Sequence, residues 1–362
     1  MPNPYSYKGA ISEGDAFYGR EGVMAKIYAR IGAQRPQSIS VVGEPKIGKT
    51  SLLWRLYAEE SRRKYLEDPE RYIYVFMRLK EERAGNPDAF FVLLCEKIRE
   101  QEGSLVGAEM DPSYDCIGQI AEDLRRKEMN LILFLDDFNI VTQDPDFPVE
   151  FFSFLRSIAN NYNVAYITSS HQELQTLCVS KAVGESPFFN IFTNMPLKPF
   201  KQEELARLVE EPSQREGVPL KEYMDAVTDL GGYVPYLDQI ACSLLFEANA
   251  SGGAIGRGEM EEIRERFMAE VDVYYRSVWE GFGVEEQEVC RAALTTGRVV
   301  PQVEYRAREL ERRGYLVERD GRYRLFCSSF RVFVARESDM EVSWEERGGG
   351  VAGWFKTIFG RE

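Results

Sequence analysis

The sequence predicts an α/β sandwich built on a parallel sheet, followed by a helical region and then by a module of two helices and a hairpin. Three observations predict it. Four short apolar runs alternate with amphipathic stretches over the first half of the chain. Strand signals stop at Met195-Pro196-Leu197-Lys198-Pro199-Phe200, after which only helical spacing follows. Beyond Gly281-Phe282-Gly283, two helical patterns lead into two strand-like pieces joined by Asp320-Gly321.

The first run, 38–42, ends in Gly43, and from Lys49 the pattern becomes helical, with Leu52, Leu53, Leu56 and Tyr57 on one face. The runs 72–77, 131–135 and 164–168 are continuous enough in apolar residues for strands covered on both sides, as a parallel sheet requires. Helical stretches separate them at 88–99, 115–127 and 149–159. In the second half, helices are expected at 203–210, 221–230, 236–247 and 260–279, then at 285–294 and 302–313. Strand pieces at 315–318 and 322–326 complete the pattern of a winged helix. The organisation that results has an N-terminal segment (1–36), an α/β core (37–200), a helical domain (201–282), a winged helix (283–338) and a tail (339–362).

Composition sets the bounds. At 362 residues the chain exceeds one ordinary core, and 44% hydrophobic with 29% charged residues is a globular balance. The formal net charge of −14 repels phosphate backbones and anionic membranes, so a nucleic-acid contact needs a local basic patch. Six widely spaced cysteines form no CxxC pair and have only His171 as an imidazole companion, which argues against zinc or a disulfide scaffold. With no basic start followed by an apolar stretch, and no run of membrane-spanning length, the expected location is the cytoplasm.

Gly43-Glu44-Pro45-Lys46-Ile47-Gly48-Lys49-Thr50 matches GxxxxGK[ST] between a strand and a helix. Glycines there let backbone N–H groups turn inward around phosphates, at the positive end of the following helix. Lys49 is expected on the β- and γ-phosphates and the Thr50 hydroxyl on Mg²⁺, with Ser51 next in the binding segment. A chance match in a chain of this length is roughly one in a hundred. The run 131–135 then delivers Asp136 and Asp137 at a strand end. Asp136 is the expected second anchor for Mg²⁺, and Asp137 the group that orients or deprotonates an attacking water. The fourth run ends in Thr168-Ser169-Ser170-His171. A hydroxyl there faces the γ-phosphate or caps the next helix; Thr168 is carried as the candidate, and the residues alone do not single one out.

Together these elements resemble the STAND class of AAA+-related ATPases, especially prokaryotic ones with a helical lid and a winged helix, which are also similar to origin-recognition ATPases. The resemblance runs from about Phe17 to Arg336. Phe17-Tyr18-Gly19-Arg20-Glu21 is similar to the family's FxGRE motif beside the adenine, which implies nucleotide contacts at Tyr18, Gly19 and Arg20. Ser186-Pro187-Phe188-Phe189-Asn190 and Pro196-Leu197-Lys198-Pro199-Phe200 resemble its segment leading out of the core. Gly231-Gly232-Tyr233-Val234-Pro235 resembles its GGxP lid motif, with one extra residue before Pro235. The acidic pair is Asp-Asp where many relatives carry Asp-Glu, and His171 stands where relatives often have arginine, so no arginine finger is assigned. The resemblance implies ATP or ADP with Mg²⁺ as ligands, slow hydrolysis, and a switch between closed and self-associating or partner-binding states.

Two segments carry further expectations. From Gln302 to Arg336 nine arginines face five acidic residues, a balance of +4, yet glutamates interleave the helix that would enter a DNA groove. Intramolecular packing is therefore favoured over DNA binding. In the tail, Val351, Trp354, Phe355, Ile358 and Phe359 share one helical face behind three glycines, which suits weak membrane contact, a partner's groove or docking on the chain itself. The leading expectation is an ATP-dependent regulatory switch. The alternatives are a DNA-associated ATPase using the winged helix and a nucleotide-locked adaptor that never turns over.

Overall fold

Five strands form one parallel sheet in the computed structural model: β1 (Ser38–Val42), β2 (Tyr72–Arg78), β3 (Asn130–Asp136), β4 (Val164–Ser170) and β5 (Phe192–Pro196), in the order β2-β3-β4-β1-β5. The structure describes residues 2–11, 16–82, 84–105, 111–252, 255–342 and 344. They divide into two compact units. One is Arg20–Leu197 with Ile11; the other runs from Lys198 onward and takes in the N-terminal residues through Ala10 and residues 16–19. The tail at 351–362 lies outside the described residues, and no helix among those described is long and apolar enough to cross a membrane.

Side chains alternate across the sheet, so each strand feeds two layers. On one face, helix Lys49–Tyr57 lays Trp54 flat on Phe76 of β2, ring centroids 4.2 Å apart, and sets Tyr57 edge-on to Phe134 of β3. On the other, Val75, Leu133 and Tyr166 join a core with helices Pro87–Gln101, Tyr114–Arg126 and Val149–Asn161. The second of these shows why the sequence folds so: Cys116, Ile117, Ile120, Ala121 and Leu124 make one buried stripe. Its start is fixed by Ser113, whose hydroxyl accepts from the Cys116 amide.

β5 is the strand that sequence reasoning did not anticipate, having placed the end of the sheet earlier. It lies at an edge, pairs only with β1, and keeps its residues half-buried or exposed, so it shows no apolar run. Pro196 is tolerated because it is the last residue of an edge strand, and the next amide, Leu197, donates to Val42 O at 2.7 Å.

The second unit has helices Gln202–Arg215, Met224–Gly231, Pro235–Gly252, Arg257–Glu280, Val284–Thr295 and Glu304–Arg313. A hairpin of β6 (Leu316–Arg319) and β7 (Arg322–Leu325) follows, and then helix Ser328–Arg336. The hairpin turns at Asp320 (φ 53°) and Gly321 (φ 71°), both left-handed, as a two-residue type I′ turn demands. The last helix was not foreseen, its nine residues being too few to show a period. It is central all the same: Phe330 and Phe333 are fully buried, in one continuous core with Leu205, Leu237, Phe267, Tyr275 and Leu310. A buried polar link ties it down. The Ser329 hydroxyl donates to Leu230 O and, its proton so used, accepts from the Tyr275 hydroxyl at 2.6 Å.

Gly232 sits at this junction with φ 62°, and a Cβ there would lie 2.7 Å from Cys327 Cβ and 2.8 Å from Phe326 O. Gly232→Ala therefore combines a left-handed backbone penalty with overpacking and is expected to destabilise this unit by about 2–4 kcal/mol. Urea unfolding followed by intrinsic fluorescence measures it; a loss within experimental error of zero contradicts the packing described.

Candidate nucleotide phosphate site

The strand order brings three chain ends together. β4 lies between β3 and β1, with Leu135 opposite Thr168 and Val42 opposite Ser170. The loop after β1 and the acids after β3 therefore flank the end of β4. That crevice, at the carboxyl ends of parallel strands, is where open α/β sheets hold ligands.

The loop from Gly43 to Gly48 is held at both ends. The Gly43 amide donates to Ser170 O at 3.2 Å, and a Cβ on Gly43 would come within 2.8 Å of Leu197 O, so only glycine fits against the exit of β5. Gly48, at φ 96°, starts helix Lys49–Tyr57 from the left-handed region. Pro45 and Lys46 are exposed, whereas Ile47 is buried and anchors the loop's middle. Arg20, itself buried, donates from Nη2 to Ile47 O at 3.3 Å. Lys49 Nζ lies over the loop, donating to Gly43 O at 2.8 Å and Glu44 O at 3.1 Å. Burial pulls its pKa down, against the opposing pull of Asp137, Glu44 and Asp136.

Across the crevice, Asp136 is buried with only 4% exposure, and Asp137 follows half-buried with φ 55°. One side chain holds both. Ser169 Oγ donates to Asp136 Oδ1 at 2.5 Å and accepts from the Asp137 amide at 2.8 Å, while Ser169 O accepts from Phe138 N at 3.0 Å. Burial raises the Asp136 pKa; hydrogen bonds from Ser169 and Thr50 and the charge of Lys49 oppose the rise, and Asp137 adds to it. The Thr50 hydroxyl and the Asp136 carboxylate are thus neighbours. Two hard oxygen donors on separate elements fit Mg²⁺, which takes few protein ligands and leaves its other positions to water and phosphate.

Of the residues singled out from the sequence, Gly43 to Thr50, Asp136, Asp137 and Arg20 meet in this unit. Ser51 is here as well, its hydroxyl accepting from the Ile11 amide at 3.0 Å. Thr168 is one residue short of the hydroxyl that touches the acids: by strand alternation its side chain is on the other face, fully buried, its Oγ1 without a hydrogen-bond partner among the described residues. Ser169 was not singled out, because choosing among three consecutive hydroxyls requires the register of β4 on β3. Tyr18, Gly19 and Pro235 belong to the helical unit. There the Tyr18 hydroxyl accepts from Arg215, and Pro235 occupies the first position of helix Pro235–Gly252, where its missing N–H costs nothing.

The comparisons with known proteins agree with this geometry. The family model described as Novel STAND NTPase 2 matches residues 33–299. Among solved structures, the Walker-type ATPase of Pyrococcus abyssi aligns with a TM-score of 0.61 at 14% identity, covering 91% of this chain and 99% of that one. The ORC2 protein of Aeropyrum pernix, in its ADPNP-ADP complexes, aligns at 0.58 and 14% identity, covering 93% and 98%. At such identities the likeness shows the fold. No curated protein matches the chain.

The raised Asp136 pKa has a thermodynamic consequence. A carboxyl whose pKa is higher in the folded state contributes stability below its unfolded value, about 3.9, and loses it as pH rises through the folded value. Asp136→Asn removes that loss. The variant is expected to melt above wild type at pH 7, with the difference vanishing near pH 3. Thermal unfolding across pH checks it, and a variant melting below wild type at pH 7 contradicts it.

Proposed function

The chain belongs to the Novel STAND NTPase 2 family, and from that premise we propose that it is an ATP-binding, slowly hydrolysing regulatory switch. Its nucleotide state would control domain arrangement, self-association or the binding of a protein partner. One observation carries the reading: a phosphate loop with its lysine and a pair of aspartates stand at neighbouring strand ends, with Ser169 holding the Asp136 carboxylate and the Asp137 amide at once. The ORC2 protein of Aeropyrum pernix, which shares the fold, has been solved with ADPNP and ADP, and that supports adenine nucleotide as the ligand.

The roles follow from position. Backbone amides of the loop up to Thr50, apart from Pro45, which has none, and Gly43, whose amide is held by Ser170 O, together with the start of helix Lys49–Tyr57, receive the phosphates. Lys49, already aimed across the loop, moves from the Gly43 and Glu44 carbonyls to phosphate oxygens, a better acceptor for a cation held partly out of water. Thr50 and Asp136 would hold Mg²⁺, which would draw charge from the β- and γ-phosphates. Asp137, turned by its left-handed backbone and fixed by Ser169, orients or deprotonates the attacking water. Its side chain is a methylene shorter than glutamate, which suits slow turnover. Arg20 braces the loop through Ile47 O, and Tyr18, Gly19 and Pro235 remain candidate nucleotide contacts.

The DNA-associated reading has less support. On helix Glu304–Arg313, Arg306 pairs with Glu309 at 2.8 Å and Glu285 at 3.2 Å, and Arg308 pairs with Glu304 at 2.8 Å, so these cations already face acids of the chain. For the cell, six free cysteines suit the cytoplasm.

Lys49→Ala removes a charge-assisted contact worth about 1.5–3 kcal/mol and is expected to weaken ATP binding roughly 10- to 100-fold. Asp137→Asn is expected to keep binding and slow single-turnover hydrolysis by about 10²- to 10⁴-fold. Equal binding by wild type and Lys49→Ala overturns the site, and a wild type that binds but never hydrolyses leaves the nucleotide-locked adaptor in its place.

A further inference from the structure

Two cysteines that the sequence keeps apart meet inside the unit Arg20–Leu197. Cys95 lies on helix Pro87–Gln101 and Cys116 on helix Tyr114–Arg126, twenty-one positions further on, yet their Sγ atoms are 3.6 Å apart. At that distance one thiol donates weakly to the other. The surroundings hold them there. Phe91, one turn before Cys95, meets Tyr114 edge-on with ring centroids 4.7 Å apart, and Tyr114 meets Phe154 in the same way at 4.8 Å. The Ser113 hydroxyl accepts from the Cys116 amide, so the backbone beneath that thiol is fixed as well. Both sulfurs belong to the apolar core that covers this face of the sheet.

The two thiols differ in access. Cys95 is 1% exposed and Cys116 4%, and Cys116 occupies the first turn of its helix, where opening is easiest. Burial pushes the Cys95 thiol up to about 12, so Cys95 stays protonated while the helices are seated. Bulky or charged oxidants are kept out of such a place. Hydrogen peroxide is neutral and little larger than water, and brief opening of one helical turn admits it.

We propose that Cys116 is a peroxide-reactive thiol and Cys95 its resolving partner, together forming a reversible redox latch in the helical layer of this unit. In the first step the Cys116 sulfur, as thiolate, attacks one peroxide oxygen. An S–O bond forms, the O–O bond breaks, and the departing hydroxide takes up the thiol proton and leaves as water. Cys116 is then a sulfenic acid. In the second step the Cys95 sulfur attacks the Cys116 sulfur; the S–S bond forms, the S–O bond breaks, and the hydroxyl leaves as water with the Cys95 proton. Two thiols thus give up two electrons to one peroxide, which becomes two waters. Proximity favours the second step, because a sulfur already in contact reacts as a neighbouring group and consumes the sulfenic acid before more peroxide carries it to sulfinic acid. The disulfide closes a loop of about twenty residues and so withdraws freedom from the unfolded chain. None of this depends on what the phosphate loop binds.

The test exposes the reduced full chain, in native buffer, to a few-fold excess of hydrogen peroxide. Remaining thiols are then alkylated in denaturant and the peptides mapped by mass spectrometry. The main product expected is the Cys95 peptide joined to the Cys116 peptide, two hydrogens lighter than the pair. Cys178, the one cysteine of the six that is not buried, is expected back as alkylated thiol. Dithiothreitol reverses the link, and the oxidised chain melts about 5 °C above the reduced one. In Cys95→Ala, Cys116 is expected to accumulate as a sulfenic acid that dimedone traps and then to pass to sulfinic acid. The wild-type map decides whether the pair forms, whatever the stability of that variant. Oxidation of Cys178 with Cys95 and Cys116 left as thiols overturns the latch, since exposure alone then governs reactivity. A link that forms only in urea overturns it too, because the folded helices then do not present the pair. Equal melting of the oxidised and reduced chains shows a disulfide with no hold on the unit and also overturns it.

Discussion

Parallel pairing of β4 between β3 and β1 places Asp136, Ser169 and Gly43 side by side, and the chemistry of the first unit depends on that pairing. Hydrogen bonds beyond the strand pairing hold this end of the sheet: Phe138 N to Ser169 O, Asp137 N to Ser169 Oγ, and Gly43 N to Ser170 O. A one-residue slip of β4 would turn Ser169 to the opposite face and replace it with Thr168 or Ser170. The slip is opposed from within the sheet, because Tyr166 and Val164 would leave the aromatic core and Ile167 would enter it. The apolar pattern of β4 therefore sets the register that the polar end uses.

The site is assembled from groups that burial disfavours. Asp136 is pushed toward its neutral form and Lys49 toward its own, yet the proposed metal and phosphate would each call for the charged form. The two tendencies partly relieve each other, since Lys49 lowers the Asp136 pKa and Asp136 raises that of Lys49. What relief remains comes from short polar contacts: Ser169 and Thr50 on the acid, loop carbonyls on the lysine. Such a site stores unfavourable electrostatics that a bound ligand removes, which is a reason for preferring the ligand-bound arrangement.

Much of this was legible in the residues. β1 to β4 are apolar runs because both faces of the sheet are covered, and the phosphate loop announces itself by glycines whose reasons are steric, at Leu197 O for Gly43 and in the backbone torsion for Gly48. Asp320-Gly321 specified its turn for the same kind of local reason. What escaped depends on partners distant in sequence. β5 is a strand only because Val42 and its neighbours offer an edge, and helix Ser328–Arg336 is secured by Leu230 and Tyr275, more than fifty residues away. Ser169 could not be told from Thr168 without a register that no local pattern encodes.

The helical unit bears on how a switch would work in this chain. Helices expected to form a lid and the hairpin module expected to pack within the chain share one uninterrupted core, from Leu205 through Tyr275 to Phe333. Gly232 abuts Phe326 and Cys327 with no room for a methyl group, and Arg313 of the module is ion-paired at 2.8 Å to a nearly buried Glu286 while lying over Phe282 and Tyr315. Contacts this close do not slide past one another; interiors packed at crystal-like density respond by moving as a body or by opening altogether. Helix Pro235–Gly252, helix Ser328–Arg336 and the hairpin therefore belong to one packed core, and none of them can be rearranged without disturbing the contacts of the others.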